Sequence, residues 1–378
     1  MSQVSLIRCH AYERPQVEAA VAQAIGLLGG MSRFVQPGQR VLIKVNLLWA
    51  SHPDRAIVTH PEVVQAVALL AREAGGEVVV ADSPGGRFSA GTLRRVYRES
   101  GLRAMADETG LTLNKDTGIV ALPHPEGVTA RRFEVCRFAT RANVVISLPK
   151  LKTHSFVRFT GAIKNLFGVL PGLQKASYHA KHHDAESFSE MLVDVLTLVR
   201  PALTVMDGIV GMDGDGPSGG DPFPTGVILA SPDAVAVDVA AVSLVGMAPS
   251  SVPALRAAAR RGLTTLQLAD LEFVGRSFEV ACVEGFRPPA AGPDVSRVPV
   301  FLRRWARRLM VASPVAGPAC TGCGVCRQHC PVGAVTIVNG RAHISLDDCI
   351  RCYCCHEMCP SSAVELRQPR LARALLRS

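Results

Sequence analysis

Nine of the twelve cysteines in this 378-residue chain fall between residues 320 and 359, and eight of them share one spacing written twice. The first run is Cys320-x2-Cys323-x2-Cys326-x3-Cys330-Pro331, and the second is Cys349-x2-Cys352-x2-Cys355-x3-Cys359-Pro360. Two-residue gaps let three thiolates curl around one cuboidal iron–sulfur cluster, and a fourth thiolate must then arrive from elsewhere. Zinc also takes Cys-x2-Cys, but in two pairs per ion, which fits triplets with a trailing Cys-Pro poorly. Cys354 is the ninth and breaks no spacing. Cys9, Cys136 and Cys282 read as small apolar fillers.

The double run has the spacing of two-cluster bacterial ferredoxins, in which the fourth Cys of each run serves the other cluster. The expected ligand sets are therefore Cys320, Cys323, Cys326 and Cys359 for one [4Fe-4S] cluster, and Cys349, Cys352, Cys355 and Cys330 for the second. The segments Ala334–Ser345 and Ala363–Gln368 are the expected short strands of that small α+β module. Eight thiolates for eight irons leave no iron open, so the module is a relay of electrons, and substrate chemistry belongs elsewhere in the chain.

A second concentration lies at Pro149–Asp184. Five of the seven lysines fall there, among them Lys150, Lys152, Lys164, Lys175 and Lys181, with Asn165, His154, His179 and His182. Lysines supply charge for an anion, Asn165 a fixed hydrogen-bonding group, and Gly161 and Gly168 close backbone approach. Lys152, Lys164 and His154 are the catalytic candidates, His154 as a proton donor near neutral pH. Lys44, Asn46, Lys150, Asn165, Asp207 and Asp213 are the ligand-binding candidates. A rival use of His179, His182 and Asp184 is a metal site, and a solvated basic face is the rival for the lysines. The loop Met206–Gly220 is rich in Gly and carboxylates, yet it matches neither an EF-hand nor a Walker loop.

These groups need a frame. Val41–Leu48, Glu77–Asp82, Asn143–Leu148, Leu203–Met206 and Val227–Ala230 read as strands. Pro61–Ala74, Thr92–Ser100, Asp184–Val199 and Pro232–Val245 read as helices. Strands alternating with helices predict an α/β domain over residues 1–286, a mostly parallel sheet with helices on both faces and its chemistry beyond the strands' carboxyl ends. A Pro- and Arg-rich linker at 287–318, the two-cluster module at 319–368 and a basic tail at 369–378 complete the expected organisation.

Charge and composition narrow the function classes. The net charge is +9, and residues 287–378 carry 13 Arg against 5 acidic residues. The linker segment Val300–Ala312 repeats apolar residues every fourth position with Arg between, and the tail Arg367–Ser378 adds four more Arg. Such basic stretches suit an acidic redox partner, a ferredoxin or flavodoxin, and leave peripheral membrane contact open. No long uncharged apolar stretch reads as a membrane span, and no secretory leader is apparent at the start. Aromatics at 5% give no stacking platform for nucleic acid.

The ordered set KVNLL (Lys44–Leu48), HPEVVQAV (His60–Val67), ADSPGG (Ala81–Gly86), SLPKLKTH (Ser147–His154), TGAIKNLFG (Thr160–Gly168), DGIVGMDGDGPSGG (Asp207–Gly220) and SPDAVAVD (Ser231–Asp238) resembles the DUF362 domain family. The resemblance covers roughly residues 1–275 and the cysteine module, which members of the family often carry. It implies an iron–sulfur redox protein of the cytoplasm, with the substrate unassigned and a further metal or flavin in the first domain left open. Oxygen-free preparations are expected to hold about eight irons per chain. Cys349→Ala should bring that to about four by iron and sulfide analysis; a colourless, zinc-filled protein contradicts the cluster reading.

Overall fold

The computed structural model describes residues 1–290, 298–299, 302 and 309–369. The basic tail beyond Pro369 and most of the expected basic helix at 300–312 lie outside the described residues.

The first domain is built on one ten-stranded sheet. Its strands in chain order are β1 (Ser2–Arg8), β2 (Arg40–Lys44), β3 (Glu77–Ala81) and β4 (Thr112–Leu113). A separate two-stranded hairpin, β5 (Ile119–Pro123) and β6 (Arg132–Cys136), comes next. The large sheet resumes with β7 (Val144–Ser147), β8 (Lys150–His154), β9 (Arg158–Thr160), β10 (Leu203–Asp213), β11 (Asp221–Ser231) and β12 (Leu271–Gly275). The order across the sheet is β12-β1-β11-β10-β7-β2-β3-β4, with β8 and β9 branching from β10. Pairings among β10, β7, β2, β3 and β4 are parallel, whereas β11 runs antiparallel to both β1 and β10.

Side chains alternate across the strands, as the pleat requires. Ile7, Val205, Ile228 and Ala230 enter one core with the helices Arg14–Gly26 and Pro61–Glu73. Leu6, Met206, Val227 and Leu229 enter the opposite core with the helices Ala185–Val199 and Ala234–Leu244. Apolar runs such as Val41–Ile43 serve a sheet covered by helices on both faces. The helix starts carry their own caps: Ser89, Asp184 and Asp233 accept backbone N–H groups in the first turn.

Two segments differ from the sequence expectation. The Gly-rich stretch after Met206 is not a loop from its start, since β10 continues to Asp213. Antiparallel pairing with β11 overrides the local Gly signal, and a register shift between Gly208 and Val210 absorbs the irregularity. Pro149–Gly172 is likewise ordered as β8 and β9 before a short helical turn at Ala162–Asn165. Pro232 precedes its helix, which starts at Ala234 behind the Asp233 cap.

The cysteine module has two small antiparallel pairs. Residues β13 (Ser313–Ala316) and β16 (Val364–Arg367) form one, while β14 (Val335–Val338) and β15 (Arg341–Ile344) form the other. Short helices Val325–Gln328 and Cys354–Glu357 follow the two cysteine triplets' central turns.

Candidate functional site

The carboxyl ends of the central strands gather charged groups that are almost fully buried. Lys44, at the end of β2, donates to Val45 O at 2.6 Å and to Asn165 Oδ1 at 3.3 Å, and pairs with Asp82 Oδ1 at 2.8 Å. Asp82, just past β3, also accepts the backbone N–H of Leu47. Asn165 closes the group by donating to Lys44 O and Ser147 Oγ. Gly168 lies so near that a Cβ there would overlap Asp82 Oδ1 and Lys44 Nζ, which explains the glycine.

A second buried pair sits one strand over. Lys150 Nζ lies 2.8 Å from Asp207 Oδ2 and 2.5 Å from the Tyr12 hydroxyl. Tyr12 donates to Asp207 Oδ1 at 2.8 Å, and its ring stacks on His60 at 3.6 Å. Burial lowers both Lys44 and Lys150 from the ordinary lysine range, and the facing Asp works against that shift in each case. Lys44, Lys150 and Asp207 thus spend their charge on internal pairs. Asp213 is held by Arg287, with Nη2–Oδ1 at 2.6 Å and Nε–Oδ2 at 2.8 Å, and does not line the pocket described next.

That pocket, a cavity of about 80 Å³, opens between the sheet ends and the cysteine module. Asn46, Ser83, Thr160, Lys164, Asn165, Lys175 and His179 line it from the first domain, and His329, Cys354, Glu357 and Met358 from the module. Lys152 stands behind it, donating to Asn46 Oδ1 at 2.8 Å and Ile57 O at 2.7 Å. Burial, helped by Lys164, pushes Lys152 down to about 7, and burial pushes Lys175 down to about 8.

Glu357 is the acid that the cysteine module brings to this pocket, beside Asp82 of the first domain. Its carboxylate oxygens lie 3.8 Å from Lys164 Nζ and 3.7 Å from His154 Nε2. Burial works to raise Glu357, but Lys164, His179, Lys152 and Lys175 outweigh it and hold the carboxyl below its usual range. His154 differs from the expected proton donor at neutral pH. Burial and then Lys164 hold it well below the imidazole range, so the ring is neutral at pH 7. Its Nδ1 accepts from Phe156 N at 3.1 Å, which leaves the ring proton on Nε2, toward Glu357.

Three imidazole nitrogens around the pocket have no hydrogen-bond partner: His154 Nε2, His179 Nδ1 and His329 Nε2. His329 Nδ1 faces Val325 O at 2.9 Å, so its Nε2 is the acceptor. The rival metal trio is otherwise engaged. His179 stacks on Phe188 at 4.2 Å, His182 meets Ser187 Oγ at 2.8 Å, and Asp184 caps the helix Ala185–Val199. Among the described residues no group of His, Cys, Asp or Glu is gathered for one metal ion.

Within the module, sulfurs from both cysteine runs lie close together. Cys323, Cys359 and Cys320 all lie near enough to Cys326 to disfavour its thiolate. Cys352 and Cys330 do the same to Cys349, and Cys355 feels Cys352, Cys349, Cys326 and Cys330. Backbone N–H groups of Ala334, Ala342, Arg351 and Ala363 point at the sulfurs of Cys330, Cys320, Cys349 and Cys359, at 3.1–3.4 Å. Such donors stabilise thiolate charge, and no disulfide competes for the sulfurs. The module docks through Ser218 Oγ to Glu357 O at 2.7 Å, His356 Nε2 with Asp215 O at 2.8 Å and Arg55 to Ser362 Oγ at 3.1 Å.

Sequence reasoning missed Glu357, His329, Tyr12 and Asp82 as parts of these clusters. Only the position of Glu357 and His329 beside cysteine ligands was available as a signal.

Comparison with known proteins agrees with the two-part organisation. A family model described as a domain of unknown function (DUF362) matches residues 41–243, and a 4Fe-4S dicluster domain matches residues 315–360. A thylakoid-associated protein, sll1697, of Synechocystis sp. is 38% identical over 261 residues, covering 69% of this chain and 79% of its own length. Among solved structures, the lactate racemase apoprotein of Thermoanaerobacterium thermosaccharolyticum aligns at 12% identity with a TM-score of 0.37, over 62% of this chain and 54% of that one. A Thermotoga maritima protein aligns at 12% identity with a TM-score of 0.32, over 56% and 53%. The chain spans about half the length of each of these two structures.

The low value of Lys152 has a direct consequence for stability. Between about 7 and the ordinary 10.5, the unfolded chain binds a proton that the native Lys152 has released. Native stability therefore rises with pH across that window, on the order of 1 kcal/mol per pH unit from this group. Lys44 and Lys150 act in the same direction, so Lys152→Met should make the rise of the thermal midpoint from pH 7 to 9.5 shallower without removing it. An unchanged slope in the variant contradicts the assignment.

Proposed function

Because the chain belongs to the DUF362 family and carries a 4Fe-4S dicluster domain, we propose that it is an iron–sulfur oxidoreductase whose two clusters pass electrons from a low-potential donor to a small ligand in the interdomain pocket. One observation carries this reading. Asn46, Lys164 and Asn165 share a single cavity with Cys354, Glu357 and Met358 of the cysteine module. A relay is useful only where its last carrier lies next to the acceptor, and this pocket adjoins the second cysteine run.

Two [4Fe-4S] clusters supply one electron each when bound. The residues of the chain divide the remaining work. Lys164 and Lys175 provide positive charge for an anionic ligand. Asn46 and Asn165 are fixed by Lys152 and by Lys44 with Ser147, so their amides are oriented before a ligand arrives. Lys152 is thus a positioning residue acting through Asn46. His154 presents a neutral Nε2–H, a hydrogen-bond donor facing Glu357. The size of the cavity suits a small metabolite better than a flavin.

A second reading, a carrier or assembly subunit that docks on a partner or a membrane surface, draws support from the basic surplus of residues 287–378 and the thylakoid association of the Synechocystis relative. Among the described residues no helix is long and apolar enough to cross a membrane.

The test is re-oxidation of the dithionite-reduced protein, followed by visible absorbance without oxygen, across pools of small metabolites. At least one pool should speed re-oxidation of the native protein tenfold or more. Lys164→Met should lose that acceleration while keeping its iron. Clusters that reduce normally yet meet no acceptor contradict the enzymatic reading.

A further inference from the structure

The pocket contains a carboxylate that its donors do not hold. Glu357 stands opposite Lys164 Nζ at 3.8 Å and His154 Nε2 at 3.7 Å, both beyond hydrogen-bond length. His179, which lines the cavity, and His154, which faces Glu357, are 4% and 1% exposed, and each leaves one ring nitrogen unpartnered. Buried polar atoms nearly always find partners, so an unpartnered imidazole nitrogen on the cavity wall, with another facing a misfit carboxylate of that wall, marks a place for a ligand. Lys175, whose Nζ bonds Ser83 O, adds a further half-buried cation to the wall.

We propose that this pocket binds a small carboxylate, and that Glu357 of the cysteine module is its built-in competitor. The proposal rests on the redox reading for the ligand's purpose and adds its chemical class. The chain itself supplies the argument for that class, since the group it directs between Lys164 and His154 is a carboxylate. The cavity, about 80 Å³, holds on the order of half a dozen water-sized groups, enough for a short carboxylate. Glu357 belongs to the short helix Cys354–Glu357, so an incoming carboxylate that displaces it acts on the module that would deliver electrons. Ligand entry and the seating of the module are thereby linked.

The probe is propionate, which is the Glu357 side chain cut free. Calorimetric titration of the oxygen-free holoprotein at constant ionic strength should show weak binding to the native chain and at least tenfold tighter binding to Glu357→Gln. Adding Lys164→Met should abolish it. Equal affinity in the native and Glu357→Gln proteins overturns the competitor role. Retained binding after Lys164→Met overturns the site, and inorganic phosphate binding as tightly as propionate overturns the carboxylate class. If Glu357→Gln does not retain iron, the native protein decides through 15N signals of its histidines. His154 and His179 should shift on adding propionate, and unmoved signals overturn the proposal. A flat titration in a protein whose reduced clusters are visible by paramagnetic resonance defeats this inference alone. Silent resonance with normal propionate binding defeats the redox reading alone.

Discussion

Two lysine–aspartate pairs buried at the strand ends hold the rest of the structure to its purpose. Lys44–Asp82 ties β2 to the loop after β3, and Lys150–Asp207 ties β8 to β10. Neither pair touches water, with side-chain exposures of 0–4%. Taking such charges out of solvent is expensive, and removing one partner of a buried pair typically costs about 3–5 kcal/mol. Hydrophobic residues of similar volume would fill the space at less cost. What the pairs provide is direction: Lys44 turns Asn165 toward the pocket, and the backbone around Asp82 and Gly168 is drawn close beneath it. The lysines that looked like ligand binders in the sequence are therefore the rigid floor under the residues that face a ligand.

On that floor the cysteine module acts as a lid rather than a separate appendage. His356 spans Val364 O and Asp215 O, so one imidazole joins the module's last strand to the loop after β10. Met358 packs where Gly85 leaves room, and His329 approaches Gly86, whose φ of +85° suits glycine. The long β10–β11 hairpin carries the docking loop, and the Arg287–Asp213 pair fastens the chain as it leaves the first domain. The consequence is electrostatic. A domain whose pocket is lined by Lys164, Lys175 and His179 receives its single pocket-facing glutamate among the lining residues from the cysteine module.

How much of this was legible depended on distance along the chain. The cysteine runs are local, and their spacing alone marked the segment that matches a 4Fe-4S dicluster domain. The α/β alternation was equally readable, because buried strands such as Val41–Ile43 and capped helices such as Ala185–Val199 carry their signals within a few residues. The lysine cluster was visible as a concentration, but not the division of labour inside it. Whether a lysine meets an aspartate 38 positions away, as Lys44 meets Asp82, is decided by strand order and not by local pattern. Asp213 looked like a ligand because it sits in a Gly-rich stretch, and only the fold reveals that Arg287 answers it. Glu357 was hidden by its neighbours, since within CCHEMCP the cysteines account for everything the motif needs.

The central claim is that the pocket and the redox centre are neighbours, and paramagnetism measures that most directly. In holoprotein labelled with 15N at histidine, reduction with dithionite should broaden the ring signals of His179 and His329, which line the pocket, and of His154, which faces Glu357. Line widths of His154 and His179 that stay at their oxidised values, with the clusters demonstrably reduced, would contradict the account.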